Sequence, residues 1–451
     1  MNLSAAARNR TFWAVDRLKG SPARRSLGDV EAILAAPRSP EVRDFLDRRL
    51  RRLLAHAAAT VPHLAGCDPD DLGSFPVVRK ALMRDGGADF LSRPYLGAQL
   101  SETATSGSTG APFRVLRDDV KVRRNFVDAL ALARAAGYDV GMPMFYLRRE
   151  HPTSPLRALA SNLLDVDVGD LRAGAAPEVV ARIRRTRGPV ALMGYASGLE
   201  ALCRELEARG RPLDHVTCVI SLAESPSEHL YRAAPEWFGR ELTARYSDVE
   251  LGLLAQQRTG ERPYRVNVAS HHVEVLDLHR DVPAGPGQLG RIVVTDLFNR
   301  AMPFVRYDTG DLGRFGVLPD GTPDATVLEE VTGRINDQIY DTADRLVSVL
   351  GIVRDWGAYR GIEEWQFVQT GSGSYLFRQR ATVDADRDRA LADEFRSYLG
   401  RDARIEMRYV DSIPLLRSGK RRAFANEWDR GTPRTPGLAS PGVPEPAVAS
   451  S

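Results

Sequence analysis

Lysine is almost absent from this chain. Only four of its 62 basic residues are lysines, and the other 58 (62 − 4) are arginines; the lysines are Lys19, Lys80, Lys121 and Lys420. Where charge alone is needed, the chain uses arginine. Lys420, within Ser418–Arg422, therefore indicates a need for a compact ammonium group on a flexible stem, which the planar fork of arginine cannot replace. An ordinary surface lysine is the alternative.

Cysteine and long apolar runs are also scarce. Three scattered cysteines (Cys67, Cys203, Cys218) exclude a disulfide framework and a cysteine-based metal motif. No apolar run approaches the ~20 residues that span a bilayer, and the first residues do not resemble a secretory signal. The net charge of +3 gives no argument for nucleic-acid binding. We expect a cytoplasmic enzyme without a nucleic-acid or membrane partner.

The apolar pattern changes along the chain. In Asp44–Ala57, apolar residues at helical spacing lie opposite four arginines, which predicts a packed helix with a solvated basic face; contact of that face with a membrane or an acidic partner is the alternative. Between 115 and 313, helical stretches alternate with short apolar runs such as Val190–Met193 and Val216–Ile220. This alternation predicts an α/β fold with a parallel sheet.

Four regions follow from these changes. They are a helical part at 1–100, an α/β core at 101–333, a small α+β part at 334–430, and a disordered tail at 431–451 that is rich in Pro, Gly, Ser and Ala. Gly285–Gly290 matches the dinucleotide-binding pattern, but it precedes the β-branched run Ile292–Thr295 rather than a helix. We therefore predict that this match is accidental.

Thr105–Gly110 reads Thr-Ser-Gly-Ser-Thr-Gly and is the strongest local motif. Its two glycines permit tight turns and close approach of the backbone to a ligand. Successive backbone N–H groups and the hydroxyl side chains of the serines and threonines suit phosphate oxygens. The run is not a Walker P-loop, because Ala111–Phe113 follows instead of Gly-Lys-Ser/Thr. The alternative is a flexible Gly/Ser linker.

Three further motifs accompany this run and Lys420. Tyr246–Glu250 places an aromatic residue and a carboxylate close together after a predicted strand, and Met302–Asp311 ends in a Thr-Gly-Asp turn. Gly333–Asp337 lies where the composition changes. Each motif is weak by itself.

The order and spacing of all five motifs resemble those of the AMP-forming adenylating superfamily, which includes acyl-CoA synthetases, peptide-synthetase adenylation domains and luciferases. Within it, the chain looks most similar to the phenylacetate–CoA ligase branch. Phe75–Lys80, Ser221–Glu224 and Gly287–Gly313 are supporting matches, and the resemblance covers about residues 45–425. It implies a large N-terminal adenylating domain of α/β class, with mixed sheets and helices, and a small α+β C-terminal domain on a hinge.

The resemblance implies nucleotide contacts for several residues. Tyr246 would stack on adenine, Asp311 would accept hydrogen bonds from both ribose hydroxyls, and Glu250 would ligate Mg²⁺. The remaining nucleotide-binding residues would be Glu224 and the run that holds the β- and γ-phosphates of ATP, namely Thr105, Ser106, Gly107, Ser108, Thr109 and Gly110.

The same resemblance implies that Lys420, Glu250 and Arg334 are catalytic. A carboxylate that attacks an α-phosphate meets charge repulsion, and charge builds up on the departing pyrophosphate. Positioning and positive charge therefore supply most of the catalysis. Lys420 would bridge the substrate carboxylate and the α-phosphate, and Arg334 would lie near the ribose and the α-phosphate.

The chain departs from the family pattern near the hinge. Asn336 stands at the hinge position, which is usually acidic or lysine, and Tyr340–Asp344 stands where a glycine normally follows. That loop helps CoA ligases to admit the pantetheine thiol, so CoA and an amine are both candidate acceptors. Ser247 and Val249 replace the usual Gly and Thr of their motif. We predict no structural metal, because relatives with zinc carry Cys and His where this chain has Gln256, Gln257 and Tyr264.

We therefore predict an ATP- and Mg²⁺-dependent ligase that converts a carboxylic acid into an acyl-adenylate, releases pyrophosphate and transfers the acyl group to CoA. The alternatives are an amide-forming ligase, an adenylyltransferase that leaves AMP on its product, and a non-catalytic binding homologue. A homodimer is compatible with each of them. We expect an aryl or arylalkyl acid in a pocket lined by Tyr146, Tyr195, Ser221, Ala223 and Asp248.

Overall fold

The computed structural model of the chain describes residues 5–105, 113–148, 161–334, 339–347, 361–413 and 424–428. Three helices begin the chain: α1 Ala5–Leu18, α2 Pro22–Ala35 and α3 Pro40–Thr60. The hydroxyl of Ser39 accepts a hydrogen bond from the backbone N–H of Val42 and caps α3, with Pro40 in its first turn. The helix predicted over Asp44–Ala57 lies within α3.

A sheet of twelve strands forms the centre of the molecule. Five strands are parallel neighbours in the order β5-β4-β6-β7-β8; they are β4 Met144–Arg148, β5 Leu163–Asp167, β6 Val190–Tyr195, β7 Val216–Leu222 and β8 Thr243–Asp248. Both faces of this part are covered by helices, so its strands carry nearly continuous apolar runs.

The other part of the sheet is antiparallel and continues from β8 in the order β9-β10-β14-β13-β12-β11. The short strand β1 pairs with β13 in parallel. The bounds are β1 Val78–Arg79, β9 Gly252–Gln257, β10 Tyr264–Val266, β11 His271–Leu276, β12 Gly290–Asp296, β13 Tyr307–Val317 and β14 Pro323–Arg334. Gly290 opens strand β12 rather than a helix, as predicted for the accidental match at 285–290.

Helices pack on both faces of the parallel strands. The helix α5 Asp119–Ala135 packs on one face, where its Ala133 belongs to an apolar cluster together with Ala191 and Cys218. The other face is covered by α6 Ala176–Arg185, α7 Ala196–Arg209 and α8 Glu228–Phe238, which enclose the largest apolar core. The short helix α4 Lys80–Gly86 follows β1 directly.

Within the described ranges, three smaller sheets lie next to the predicted motifs. A hairpin of β2 Ser101–Thr105 and β3 Phe113–Arg117 pairs Thr105 with Phe113 at its end. Downstream lie β15 Ile339–Tyr340 with β16 Leu346–Val347, and a four-stranded sheet in the order β19-β18-β17-β20, on which one helix packs. The bounds are β17 Ile362–Gly371, β18 Ser374–Ala381, α9 Ala385–Leu399, β19 Arg404–Tyr409 and β20 Phe424–Asn426.

The predicted α/β class with mixed sheets is confirmed, whereas the four predicted region boundaries remain predictions. Two local predictions need correction. Thr309–Asp311 is not a turn between elements but part of β13, where Gly310 has φ 78° and the pairing register shifts. Tyr246 does not follow a strand but lies within β8.

Within the described ranges, no helix combines the length and apolar composition needed to cross a membrane.

Candidate active site

The carboxyl end of β8 carries three of the predicted site residues. Tyr246 and Asp248 belong to the end of this strand, and Glu250 lies in the turn that leads into β9. The backbone N–H of Leu251 donates a 2.5 Å hydrogen bond to Asp248 Oδ1 and thereby fixes the turn. Ligands of α/β sheets bind outside the carboxyl ends of parallel strands, so this turn is well placed for chemistry.

Tyr246 and Asp311 are in direct contact although 65 residues separate them. The phenol of Tyr246 donates to Asp311 Oδ2 over 2.9 Å and lies 3.4 Å from the hydroxyl of Thr309. Burial, followed by the charge of Asp311, raises the pKa of Tyr246 well above its ordinary value, so the phenol stays a donor. The register of β13 and β14 pairs Asp311 with Arg334. The structure therefore brings the predicted adenine, ribose and α-phosphate residues to one place.

Glu250 forms a second contact with a residue from the start of the chain. Its carboxylate is buried and lies 2.7 Å from the ammonium of Lys80. The same ammonium lies 5.8 Å from the ring centroid of Phe113, the first described residue after the predicted phosphate-binding run. Since Thr105 pairs with Phe113, both strand ends that lead into this run lie near Glu250.

Asp248, Glu250 and Asp311 form a carboxylate cluster. The pKa of Asp248 is raised to about 8, first by burial and then by the charges of Glu250 and Asp311. Two carboxylates cannot easily be ionised side by side, so one proton is retained near neutral pH. The sequence predicts that Asp248 lines the acyl pocket; in the structure its carboxylate accepts a hydrogen bond from the backbone N–H of Leu251, the residue after Glu250.

The cluster suits a divalent cation that is shared with a nucleotide. The ammonium of Lys80 already lies against Glu250, which demonstrates that this carboxylate attracts positive charge. Among the described residues, no three acidic, histidine or cysteine side chains form a complete metal site. Mg²⁺ is commonly bound by one or two carboxylates, water and substrate phosphates, so Glu250 fits that manner of binding.

Three basic residues at this site were not singled out from the sequence. Lys80 appeared only within a supporting match, and Arg117 donates to the backbone carbonyl of Val249, next to Glu250. Lys121 is fully buried, 2.6 Å from Asp296 Oδ2 and 2.7 Å from the carbonyl oxygen of Leu251. The scarcity of lysine, which pointed to Lys420, could have identified Lys80 and Lys121 as well.

The predicted acyl-pocket residues lie at the ends of neighbouring strands but on different faces of the sheet. Tyr146 pairs in register with Met193, whereas Ser221 pairs with Gly194, one residue further along, and therefore points to the opposite face. Ala223 adopts a left-handed backbone conformation, with φ 67°, immediately after β7.

Glu224 and Tyr195 are tied to the start of α7. The carboxylate of Glu224 accepts a 2.9 Å hydrogen bond from the backbone N–H of Ser197, in the first turn of the helix. Tyr195 is the N-cap residue, directly before the first residue of α7. A carboxylate at this position is stabilised by the free N–H groups and the dipole of the helix. Glu224 is thus held in place by the scaffold.

Several predicted site residues lie outside the described residues. They are Ser106, Gly107, Ser108, Thr109 and Gly110 of the phosphate-binding run, Asn336 at the predicted hinge, and Lys420. For Thr105 and Arg334, the structure gives the backbone position in β2 and β14.

Comparison with known proteins gives one curated relative and many similar folds. A phenylacetate-coenzyme A ligase from Thermus thermophilus is 27% identical over 293 residues, which cover 60% of this chain and 65% of that protein. The chain thus spans somewhat less than two thirds of the length of this curated relative. No family model matches the chain.

Solved structures with the same fold include two CoA ligases. A 2-hydroxyisobutyryl-CoA ligase in complex with 2-HIB-AMP is 17% identical, with a TM-score of 0.64 and coverage of 87% of this chain and 90% of that chain. An anthranilate CoA ligase in complex with anthranoyl-AMP is 14% identical, with a TM-score of 0.52 and coverage of 71% and 65%. The resemblance expected from the five motifs is therefore confirmed: the chain has the fold of the AMP-forming adenylating superfamily, and its sequence is similar to that of a phenylacetate–CoA ligase.

Proposed function

We propose that this protein is an AMP-forming ligase that activates a carboxylic acid as its acyl-adenylate and transfers the acyl group to CoA. The observation that carries the proposal is the convergence of Tyr246, Asp311 and Glu250 around the end of β8, next to the strand ends of the predicted phosphate-binding run. The curated relative is named for phenylacetate and CoA, and both ligase structures hold an acyl-adenylate.

Each residue has a task that its chemistry supports. Asp311 accepts hydrogen bonds from the ribose, and the ring of Tyr246 lies against the adenine. Glu250 would hold Mg²⁺, and that ion would supply positive charge to the phosphates and the departing pyrophosphate. Lys80, beside Glu250, adds a second positive charge near the phosphate-binding run. Lys420 brings its ammonium to the α-phosphate and the attacking carboxylate, where charge repulsion is greatest.

A ligase that uses an amine instead of CoA is the second candidate, and the loop after the predicted hinge favours it. Asp341 Oδ1 accepts hydrogen bonds from the backbone N–H groups of Ala343 and Arg345, at 2.9 and 2.8 Å, and the guanidinium of Arg345 closes on Oδ2 at 2.8 Å. The loop is therefore held in a compact turn by one side chain, in the segment where CoA ligases normally carry a flexible glycine.

ATP–pyrophosphate exchange with a panel of aryl, arylalkyl and aliphatic acids tests the activation step. We expect exchange with at least one acid. The variant Lys420→Ala should lower it about 100- to 1000-fold, because the positive charge at the reacting phosphate is lost, while ATP affinity changes little. Lys19→Ala, which removes an exposed lysine after α1, is the matched control and should behave as the wild type.

The outcomes separate the candidates. Exchange that is unaffected by Lys420→Ala would remove the role given to this lysine, and the absence of exchange with every acid would favour a binding homologue. Mass analysis after addition of CoA or of amines then distinguishes a thioester from an amide. A product that retains AMP would identify an adenylyltransferase.

A further inference from the structure

Arg245 precedes Tyr246 on β8, so its side chain leaves the sheet on the opposite face. This is the face on which α5 packs and from which Met193 and Tyr146 project. The guanidinium of Arg245 lies along this face. Its Nη1 is 3.7 Å from Met193 Sδ, and its Nε donates a hydrogen bond to Gln256 Oε1 at 2.9 Å. Arg245 thus lies behind the nucleotide-facing residue Tyr246, beside a predicted residue of the acyl pocket.

No carboxylate balances this guanidinium within the described part of the chain. Its Nη2 atom is removed from solvent and has no hydrogen-bond partner, and the thioether of Met193 is only a weak acceptor. Burial lowers the pKa of Arg245 to about 10, which leaves the group charged at neutral pH. The side chains that counter the effect of burial on this pKa are Cys218 and Tyr146, and neither carries a carboxyl group. A desolvated charge without a partner is destabilising.

Two buried arginines of the antiparallel part, Arg291 in β12 and Arg306 just before β13, are paired with acids. Arg291 of β12 lies 2.9 Å from Asp308 and 2.6 Å from Asp281. Arg306 donates through two nitrogen atoms to the carboxylate of Glu274. Each of these two guanidinium groups has a carboxylate counter-ion, whereas among the described residues Arg245 has none.

We propose that the substrate supplies the missing partner, and that the acid activated by this protein is a dicarboxylic acid whose second carboxylate binds Arg245. The inference rests on the proposed function and narrows its substrate class. One carboxylate of the acid faces the α-phosphate beyond the carboxyl end of β8. The carbon skeleton passes around that strand end to the α5 face, where the second carboxylate binds Nη2 of Arg245. Tyr146 and Met193 contact the carbon skeleton in between. Monocarboxylic acids bind less well because they leave the buried charge unpaired.

Matched acid pairs in the ATP–pyrophosphate exchange assay test this substrate class. The full-length protein is given phenylacetate or 4-carboxyphenylacetate, and hexanoate or adipate. We expect the wild type to use the better dicarboxylate at least tenfold more efficiently, in kcat/KM, than its monocarboxylate partner. Arg245→Met should lower kcat/KM for the dicarboxylate about 100-fold, mainly through KM, and leave the monocarboxylate unchanged or improved.

Two further variants separate recognition from structural support. Arg245→Lys keeps a positive charge and should retain part of the preference for the dicarboxylate. Arg258→Met, at an exposed arginine after β9, should retain all of it. Where Arg245→Met fails to fold, Arg245→Lys and the thermal stabilisation of the wild type by each acid in the presence of AMP give the same comparison.

The outcomes also separate this inference from the proposed function. A wild type that prefers monocarboxylates, or an Arg245→Met variant with an unchanged ratio between the paired acids, would overturn the dicarboxylate assignment and leave acid activation intact. The absence of exchange with every acid would overturn both. A preference that is lost in Arg245→Met and partly kept in Arg245→Lys supports the assignment.

Discussion

Asp248 is a residue of the candidate site whose ionisation depends strongly on folding. In an unfolded chain its carboxyl group titrates near pH 4. In the folded protein, burial and the neighbouring charge of Glu250 raise its pKa to about 8. The folded state therefore holds a proton that the unfolded state releases between these two pH values. The contribution of this group to stability is complete below pH 4 and is lost progressively as the pH rises towards 8.

This linkage predicts a pH-dependent difference between the wild type and Asp248→Asn. The amide keeps an acceptor for the N–H of Leu251 but does not titrate. The free energy of unfolding of the variant therefore lacks the decrease with rising pH that the carboxyl group causes in the wild type. We expect the wild type to lose stability relative to the variant between pH 5 and pH 8. Denaturant unfolding at intervals across this range measures it. Parallel stability curves for the two proteins would contradict the raised pKa.

At the scale of elements, one buried ion pair joins α5 to the sheet. Lys121 lies in the first turn of α5 and Asp296 at the end of β12, and both side chains are fully buried. The ammonium also donates to the carbonyl oxygen of Leu251, in the turn that follows Glu250. The pair therefore links the helix, the antiparallel strands and the turn of the candidate site.

Removal of one partner should be costly, because the other is left as an uncompensated buried charge. We expect Lys121→Met to lower the free energy of unfolding by about 3–5 kcal/mol. The double variant Lys121→Met/Asp296→Asn, which removes both charges but keeps an acceptor for the N–H of Phe298, should recover much of that loss. Urea unfolding measures the two differences. A Lys121→Met variant as stable as the wild type would show that the ion pair does not stabilise the packing of α5 on the sheet.

At the scale of the whole molecule, the proposed activity needs residues from the middle of the chain and from its C-terminal part. Glu250 and Asp311 belong to the central sheet, whereas Lys420 lies far downstream, close in sequence to the sheet formed by β17–β20. The resemblance to the superfamily implies a small domain that turns on a hinge between the two half-reactions, with Asn336 as the predicted hinge residue. The hinge and the boundaries of the small domain remain proposals for this chain.

Restriction of the hinge should separate the two half-reactions. Proline fixes φ near −65° and removes a backbone N–H. We expect Asn336→Pro to keep ATP–pyrophosphate exchange within a few fold of the wild type but to lower acyl transfer to CoA roughly tenfold or more, since only the second step needs the rotation. Asn336→Ala should keep both steps. Equal loss of both in the proline variant would place Asn336 in adenylation, and loss of neither would remove the hinge assignment.

The sequence by itself determined the fold class and several of the helices and strands. Apolar periodicity reports the local backbone and the side that is buried, so it was sufficient for α3, for the parallel strands β6 and β7, and for the rejection of the accidental match before β12. The rarity of lysine carried information too, because Lys80 and Lys121 both form ion pairs with buried carboxylates in the structure.

Only the tertiary structure decided which distant residues meet. The contact of Tyr246 with Asp311 depends on the pairing of several strands and on a bulge at Gly310, where the sequence suggested a simple turn. The raised pKa of Asp248 and the unpaired guanidinium of Arg245 depend on the charges that surround each group after folding. Electrostatic energy follows distance and burial in space, which one-dimensional spacing does not encode.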